Sequence, residues 1–366
     1  MAKTGKRGIP QYLESYFSGK TQLQHYLDYA KHAKQSRRIE DTFTRIKGFS
    51  SSTPMFRTST FSGTSSGGGF YFRWHGLGIA VDPGIGFIAL MHEHMIFVDD
   101  IDVVIVTHAH LDHNADVRGL ASLLYEFNKG RERGARFYSS LLPKPTPVEV
   151  HTIHWILDCA TYYQVKDDID EREVTLLSDL CGRDRFFELA EDVSVKVFAI
   201  EHIHGDSYGI RFSFKGDAEE HSWGYTSDTR YFSDLSAALG GCDVLIMNIS
   251  DVYEKDVEGV KPKSTHLGFD GCLRLLNSVK PSLALISEFT CMNGDYRFEI
   301  VRCLKEESDG VCAKVLPAEI GLRLALSGEH IRCSACGQFH PIAGSSAIRP
   351  VESFARIQYI CDDCMI

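Results

Sequence analysis

The segment Ile101–Asp116, IDVVIVTHAHLDHNAD, constrains this chain more than any other. Ile101, Val103, Val104, Ile105 and Val106 are all β-branched, and such a run reads as a strand buried on both faces. Thr107 ends it, and His108, His110, Asp112 and His113 follow at once. Ends of strands are where α/β folds present ligands. His108 and His110 are two residues apart, so in an extended segment they point the same way and can share one metal ion. Asp112 and His113 come after the chain has turned and can serve a second ion beside the first. Imidazole and carboxylate without thiolate suit a catalytic zinc site with an open position better than a closed structural one. The bland alternative is a solvated histidine-rich loop. Four ligand-type residues at this spacing, straight after a buried strand, favour the metal.

The rest of the chain sets bounds. Its 366 residues suffice for one large catalytic domain plus appendages. No apolar run approaches the ~20 residues needed to cross a bilayer, and the opening MAKTGKRGIPQ lacks the apolar core of a signal peptide. Eleven cysteines without such a leader fit thiols in a reducing cytoplasm, some of them binding metal, rather than a disulfide framework. A net charge of −10 argues against a broad nucleic-acid-coating surface. The charge is uneven, because residues 1–50 hold ten Lys/Arg against four Asp/Glu, giving +6 there and −16 elsewhere. That basic stretch can touch phosphates, but a solvated helix face is the simpler reading.

Residues 1–52 read as a basic, partly helical extension, with Leu23, Tyr26, Leu27, Ala30 and Ala33 at helical spacing and SSSTP (50–54) as a linker. The run GTSSGGGFYF (63–72) lacks the ending of a phosphate-binding P-loop and reads as a flexible turn before a strand. GLGIAVDPGIG (76–86) is a second buried strand ending at Asp82-Pro83-Gly84, which could be a simple turn. Val117, Leu120, Leu123, Leu124 and Phe127 mark an amphipathic helix ending near Gly130. Residues 131–190 carry His151, His154 and an acidic run and read as surface loop or substrate-facing insertion.

The HxHxDH motif at His108–His113 resembles the signature of the metallo-β-lactamase-fold hydrolases. That resemblance extends over roughly residues 55–325 through five ordered elements. It implies that Asp82 orients the metal loop from behind the ligands. VSVKVFAIEHIHGDSYGIRFSF (193–214) resembles the third motif, in which a strand-end histidine completes the first metal position. His202 sits at the strand end and is the preferred ligand, with His204 as a substrate-side or alternative ligand. SWGYTSDTRYF (222–232) resembles the bridging-aspartate motif through Asp228, closest to the branch containing tRNase Z, a tRNA 3′-processing endonuclease. A carboxylate suits a bridge because its two oxygens can bind both ions. In that branch a histidine before the next helix assists proton transfer, which points to His266. The branch then has a histidine at the following strand end, whereas this chain reads Ile-Ser-Glu-Phe. Glu288 can be an oxygen ligand there, His266 can move in as ligand, or the second position can be weak; an oxygen ligand would welcome Mn2+ or Mg2+.

From residue 328 the composition changes. CSAC (333–336) and CDDC (361–364) supply four thiolates, Cys333, Cys336, Cys361 and Cys364, for a tetrahedral zinc. Thioredoxin-like redox chemistry would need a βαβ context that is missing. A module this small folds only with its ion, and His340 in the spacer is not needed as a ligand.

The resulting expectation is an α/β protein, an αββα metallo-β-lactamase sandwich over residues 53–327, with the extension before it and a zinc ribbon over 328–366. The resemblance implies a binuclear hydrolase with two Zn2+ in the catalytic site, and the two cysteine pairs imply a third in the ribbon. His108, His110 and His202 would hold the first ion, Asp112, His113 and Glu288 the second, with Asp228 bridging and a shared water activated to hydroxide. Asp112, His266 and His204 are the candidate catalytic groups. A phosphodiester substrate (RNA, DNA or a nucleotide) is favoured. The alternatives are an acyl, lactone or thioester hydrolase of the same fold, or a catalytically weak binding module. A protein partner could use the ribbon or the extension, and no membrane association is expected.

Overall fold

In a computed structural model of the chain, the described residues are 41–46, 69–108, 110–120, 123, 136–139, 174–182, 186–202, 206–250, 265–289, 296–308, 311–312, 314–318, 321–342, 348–353 and 356–365. They belong to the unit Glu40–Ile366. The expected N-terminal helix, the linker, His151, His154 and His204 lie outside them.

Two mixed sheets face each other. The first runs β1 (Thr42–Arg45), β2 (Phe70–Trp74), β3 (Leu77–Val81), β4 (Val103–Val106), β5 (Arg136–Ser139) and β6 (Val174–Leu176) in spatial order. The second runs β7 (Phe187–Ala190), β8 (Val193–Ala199), β9 (Tyr208–Lys215), β10 (Glu220–Tyr225), β11 (Val244–Ser250), β12 (Leu283–Phe289) and β13 (Val315–Pro317). The pairs from β3 to β6 and from β10 to β13 are parallel, and the others in these runs are antiparallel. Thr42–Arg45, part of the stretch read as extension, is thus a strand of the first sheet, and Phe43 drives it there by burial in the core.

The sequence reads as unbroken apolar runs because the strands are buried on both faces. In β4, Val103 and Ile105 face the space between the sheets, while Val104 and Val106 pack outward beneath the helix Phe87–Glu93. In β11, Val244 and Ile246 face inward, and Leu245, Met247 and Ile249 meet Leu275, Leu276 and Leu304 of the helices Gly268–Val279 and Arg297–Glu307. The layers are therefore helix, sheet, sheet, helix. Aromatic rings fill the central seam: Phe43 stacks on Trp223 with centroids 5.0 Å apart, and Phe72 lies 4.9 Å from Phe212.

Three further strands, β14 (Arg323–Ala325), β15 (His330–Arg332) and β16 (Phe339–Pro341), continue the first sheet beyond β1. The first cysteine pair thus follows a hairpin strand of the main sheet, and the second closes the separate ribbon β17 (Ile348–Ser353) and β18 (Arg356–Cys361). Tyr359 ties the two regions together, donating its hydroxyl to the Pro317 carbonyl at 2.6 Å. No helix among the described residues is long and apolar enough to cross a membrane.

Candidate metal centre

The centre forms where strands of both sheets end. Asp82 follows β3, His108 and His110 follow β4, His202 follows β8, Asp228 follows β10, and Glu288 is the last residue but one of β12. Asp112 and His113 sit on the short helix Leu111–Asn114. Asp82, Ser227 and Glu288 all have left-handed backbones, with φ of 51°, 53° and 60°. Non-glycine residues are held that way only where the surroundings over-determine them, and such positions cluster at functional sites. Strand alternation would send Glu288 outward with Ala284 and Ile286. Its positive φ turns the side chain back, and Phe289 takes the outward place.

Two sets of ligand-type atoms lie within 4.8 Å of one another: His108, His110, His202 and Asp228, and Asp112, His113, Asp228 and Glu288. Asp228 belongs to both. His110 Nδ1 lies 3.2 Å from both His108 Nε2 and His202 Nε2. Asp228 Oδ2 lies 3.7 Å from His108 Nε2 and 3.4 Å from His113 Nε2. His113 Nε2 is 3.7 Å from Asp112 Oδ2 and 3.5 Å from Glu288 Oε1. His266 Nε2 stands on the outer side, 3.2 Å from Asp228 Oδ2. Of the candidate residues named from the sequence, the structure brings together all but His204, which is not described, and the four cysteines, which cluster elsewhere.

The remaining ring nitrogens face acceptors that set the tautomers. His113 Nδ1 lies 2.8 Å from Asp82 Oδ2, and His202 Nδ1 lies 3.1 Å from the Thr265 carbonyl. Each donates there and leaves Nε2 with its lone pair toward the cluster, the arrangement metal-bound histidines show. Asp82 also accepts from the Thr107 amide at 2.7 Å, the Thr107 hydroxyl at 2.8 Å and the Tyr225 hydroxyl at 2.9 Å. The aspartate therefore spans both sheets and fixes one ligand directly. Burial, then His113, holds the His108 imidazole well below its usual range, while burial and His202 bring His110 down to about 4. Burial pushes the Asp228 carboxyl up, but His113 and His266 outweigh it and hold the group well below the carboxylate range. Neutral imidazoles and ionised carboxylates are the states that coordinate divalent cations. The first donor set, three imidazoles and one carboxylate, fits zinc; the second, three carboxylates and one imidazole, fits a harder ion.

Sequence reading missed Asn248. Its side-chain amide donates to Asp228 Oδ1 at 2.8 Å and Glu288 Oε1 at 3.2 Å, and so locks the two carboxylates together. The signal was present: Asn248 is an amide on the inward face of a strand, VLIMNIS, that is apolar up to it. Gly84, inside the Asp-Pro-Gly turn, also gains a reason. A Cβ there would stand 1.8 Å from the Asp112 carbonyl oxygen and 2.9 Å from the His113 nitrogen. Gly84→Ala is expected to push the metal loop away from the centre, with loss of second-position metal measured by elemental analysis; full occupancy would contradict this.

The histidines of the centre also give the metal-free protein an acid limit. The unfolded chain takes up protons near pH 6.5, whereas His110 in the folded site accepts one only near 4. Between those values the unfolded state binds more protons, so stability falls as pH falls. The denaturation midpoint of the metal-stripped protein should drop from pH 7 to 4.5, and drop less steeply in His110→Ala; parallel profiles would contradict the assignment.

The second cluster comprises Cys333, Cys336, Cys361 and Cys364, all free thiols with sulfurs within 4.8 Å of one another. Cys333 and Cys361 are buried against the central core. The Cys361 amide points at Cys333 Sγ, 3.4 Å away, and the Gly337 amide returns to the Cys333 carbonyl at 3.0 Å. Burial pushes the Cys333 thiol up, but backbone N–H groups of Cys336, Cys361 and Ala335 outweigh it and bring the thiol down to about 6. Four converging sulfurs with amide support fit a tetrahedral zinc. His340 Nε2 sits 3.5 Å from Cys336 Sγ, beside the cluster rather than within it.

A family model described as Beta-lactamase superfamily domain matches residues 78–287, which span every candidate ligand except Glu288 and the cysteines. The chain belongs to that superfamily. An uncharacterized protein of Methanocaldococcus jannaschii, MJ1374, is 26% identical over 275 residues, covering 74% of this chain and 91% of its own. Among solved structures, the metallo-β-lactamase fold protein YhfI from Bacillus subtilis matches with a TM-score of 0.53 at 17% identity, over 78% of this chain and 99% of that one. The short form of human tRNase Z matches with a TM-score of 0.50 at 14% identity, over 78% of this chain and 99% of its own. Likeness to solved structures at identities this low shows the fold alone, and the chemistry of this member has to come from its own residues.

Proposed function

We propose that this superfamily member is a metal-dependent hydrolase that cleaves a phosphodiester in RNA, DNA or a nucleotide, with Zn2+ in the first position and Zn2+, Mn2+ or Mg2+ in the second. The observation that carries the reading is Asp228: one buried carboxylate shared by two ligand sets of different composition. When bound, two ions so placed activate water and polarise the oxygens of a phosphoryl group undergoing in-line displacement. The protein's part is geometric and protic. Asp82, the Thr265 carbonyl and the Asn248 amide hold His113, His202 and the two carboxylates in register before substrate arrives. His266 is partly exposed, with its Nε2 on Asp228, where it can deliver a proton to a departing alkoxide. The fold of tRNase Z, a nuclease by name, accords with this substrate class. His204, proposed as a substrate-side group or an alternative ligand, lies outside the described residues.

The test is hydrolysis of bis(p-nitrophenyl) phosphate beside a lactone and a thioester, using metal-loaded protein. Phosphodiester turnover that falls in His266→Ala, with the metal content kept, is the expected result. Lactone or thioester turnover alone would favour the acyl hydrolase. No turnover at full metal loading would favour a binding module.

A further inference from the structure

Glu288 poses a charge problem. An imidazole in the second position would be neutral, whereas glutamate brings a negative charge into a site where Asp82, Asp112 and Asp228 are already buried. A buried charge is tolerated only with compensation. Arg45 is the second largest of the fully buried side chains, and it lies on the same face of β1 as Phe43, between the two sheets. Its Nη2 donates across the sandwich to the Ser287 hydroxyl, one residue before Glu288. Arg45 and Glu288 both act electrostatically on the buried Tyr225 hydroxyl, with opposite signs. Guanidinium remains charged even when buried, so it is a fixed positive charge beneath the centre.

We infer that Arg45 is the counter-charge that allows Glu288 to serve in the second metal position, and that this pair biases the position toward Mn2+ over Zn2+. The inference rests on the two-ion reading above. Oxygen-rich sets favour Mn2+ and Mg2+, and imidazole-rich sets favour Zn2+. Arg45 acts through Glu288 and is a positioning residue.

The test titrates Mn2+ into protein carrying zinc in the ribbon and the first position, and follows free Mn2+ by electron paramagnetic resonance. Arg45→Met should weaken Mn2+ binding roughly 10- to 100-fold, the range typical of residues supporting a ligand from behind. Arg45→Lys keeps the charge and should retain most of the affinity. Ser287→Ala removes the cross-sheet hydrogen bond without touching the charge and should leave the affinity unchanged. Arg45→Met/Glu288→His removes both charges and should hold zinc in both positions. Unchanged Mn2+ binding in Arg45→Met, or equal losses in Arg45→Met and Ser287→Ala, would overturn the inference in favour of a simple tether. If Arg45→Met alone is insoluble, the double variant decides: a soluble, two-zinc protein supports the pairing and an insoluble one overturns it. Wild-type protein that never holds more than one ion in this centre would instead bring down the two-ion reading, and this inference with it.

Discussion

Asp228→Asn is expected to reduce hydrolysis below detection, a loss of at least a thousandfold or ~4 kcal/mol of transition-state stabilisation. The effect is large because, among the described residues, no other belongs to both donor sets. Asparagine keeps the shape but loses the charge that faces His108 and His113 and the acceptor that takes the His266 contact. The Asn248 amide would still find an oxygen, so the fold should survive with little change in far-UV circular dichroism. Metal content should fall by one to two ions per chain. A folded variant retaining all its metal and more than about a tenth of its activity, near 1.4 kcal/mol by the same relation, would remove Asp228 from the bridging role.

Cys333→Ser should strike stability instead of turnover. Metal binding supplies folding free energy to sites of this kind, and this cluster is joined to the sandwich rather than hung from it. Cys333 and Cys361 belong to the central core, Tyr359 reaches the Pro317 carbonyl, and β15 and β16 continue the first sheet. Loss of the ion should therefore propagate into the sheet. A loss of roughly 5 kcal/mol would lower Tm by about 7 °C for a unit the size of Glu40–Ile366. Differential scanning calorimetry with zinc analysis checks it. A variant with wild-type Tm and zinc content would show that the thiolates hold no structural ion, while a zinc loss without a Tm change would make the cluster an independent appendage.

The cluster of candidate ligands was legible in the sequence to the extent that its members sit at or near strand ends. Buried parallel strands announce themselves as apolar runs, and a His or Asp within two residues of their ends stands out, as Asp82 and His108 do. Local pattern carries less where a residue's role depends on a partner far along the chain. Arg45 and Ser287 are 242 positions apart, and nothing near Arg45 signals that it is buried. Asn248 is visible only once both sheets are assembled around it. Glu288 shows the limit differently: its type departs from the family pattern, and strand alternation aims it outward. Only a left-handed backbone at φ 60° brings it to His113. The first cysteine pair read as part of a separate tail because composition changes at residue 328, whereas hydrogen bonding in the first sheet runs across that point.

Metal stoichiometry tests the account most directly. Protein purified without chelator should contain about three divalent ions per chain by elemental analysis, two in the shared centre and one among the cysteines. His108→Ala/His110→Ala should bring that to about one, with the remaining ion lost when Cys333 is changed as well. One ion in the wild type, sensitive to Cys333 and indifferent to His108 and His110, would contradict the two-ion centre.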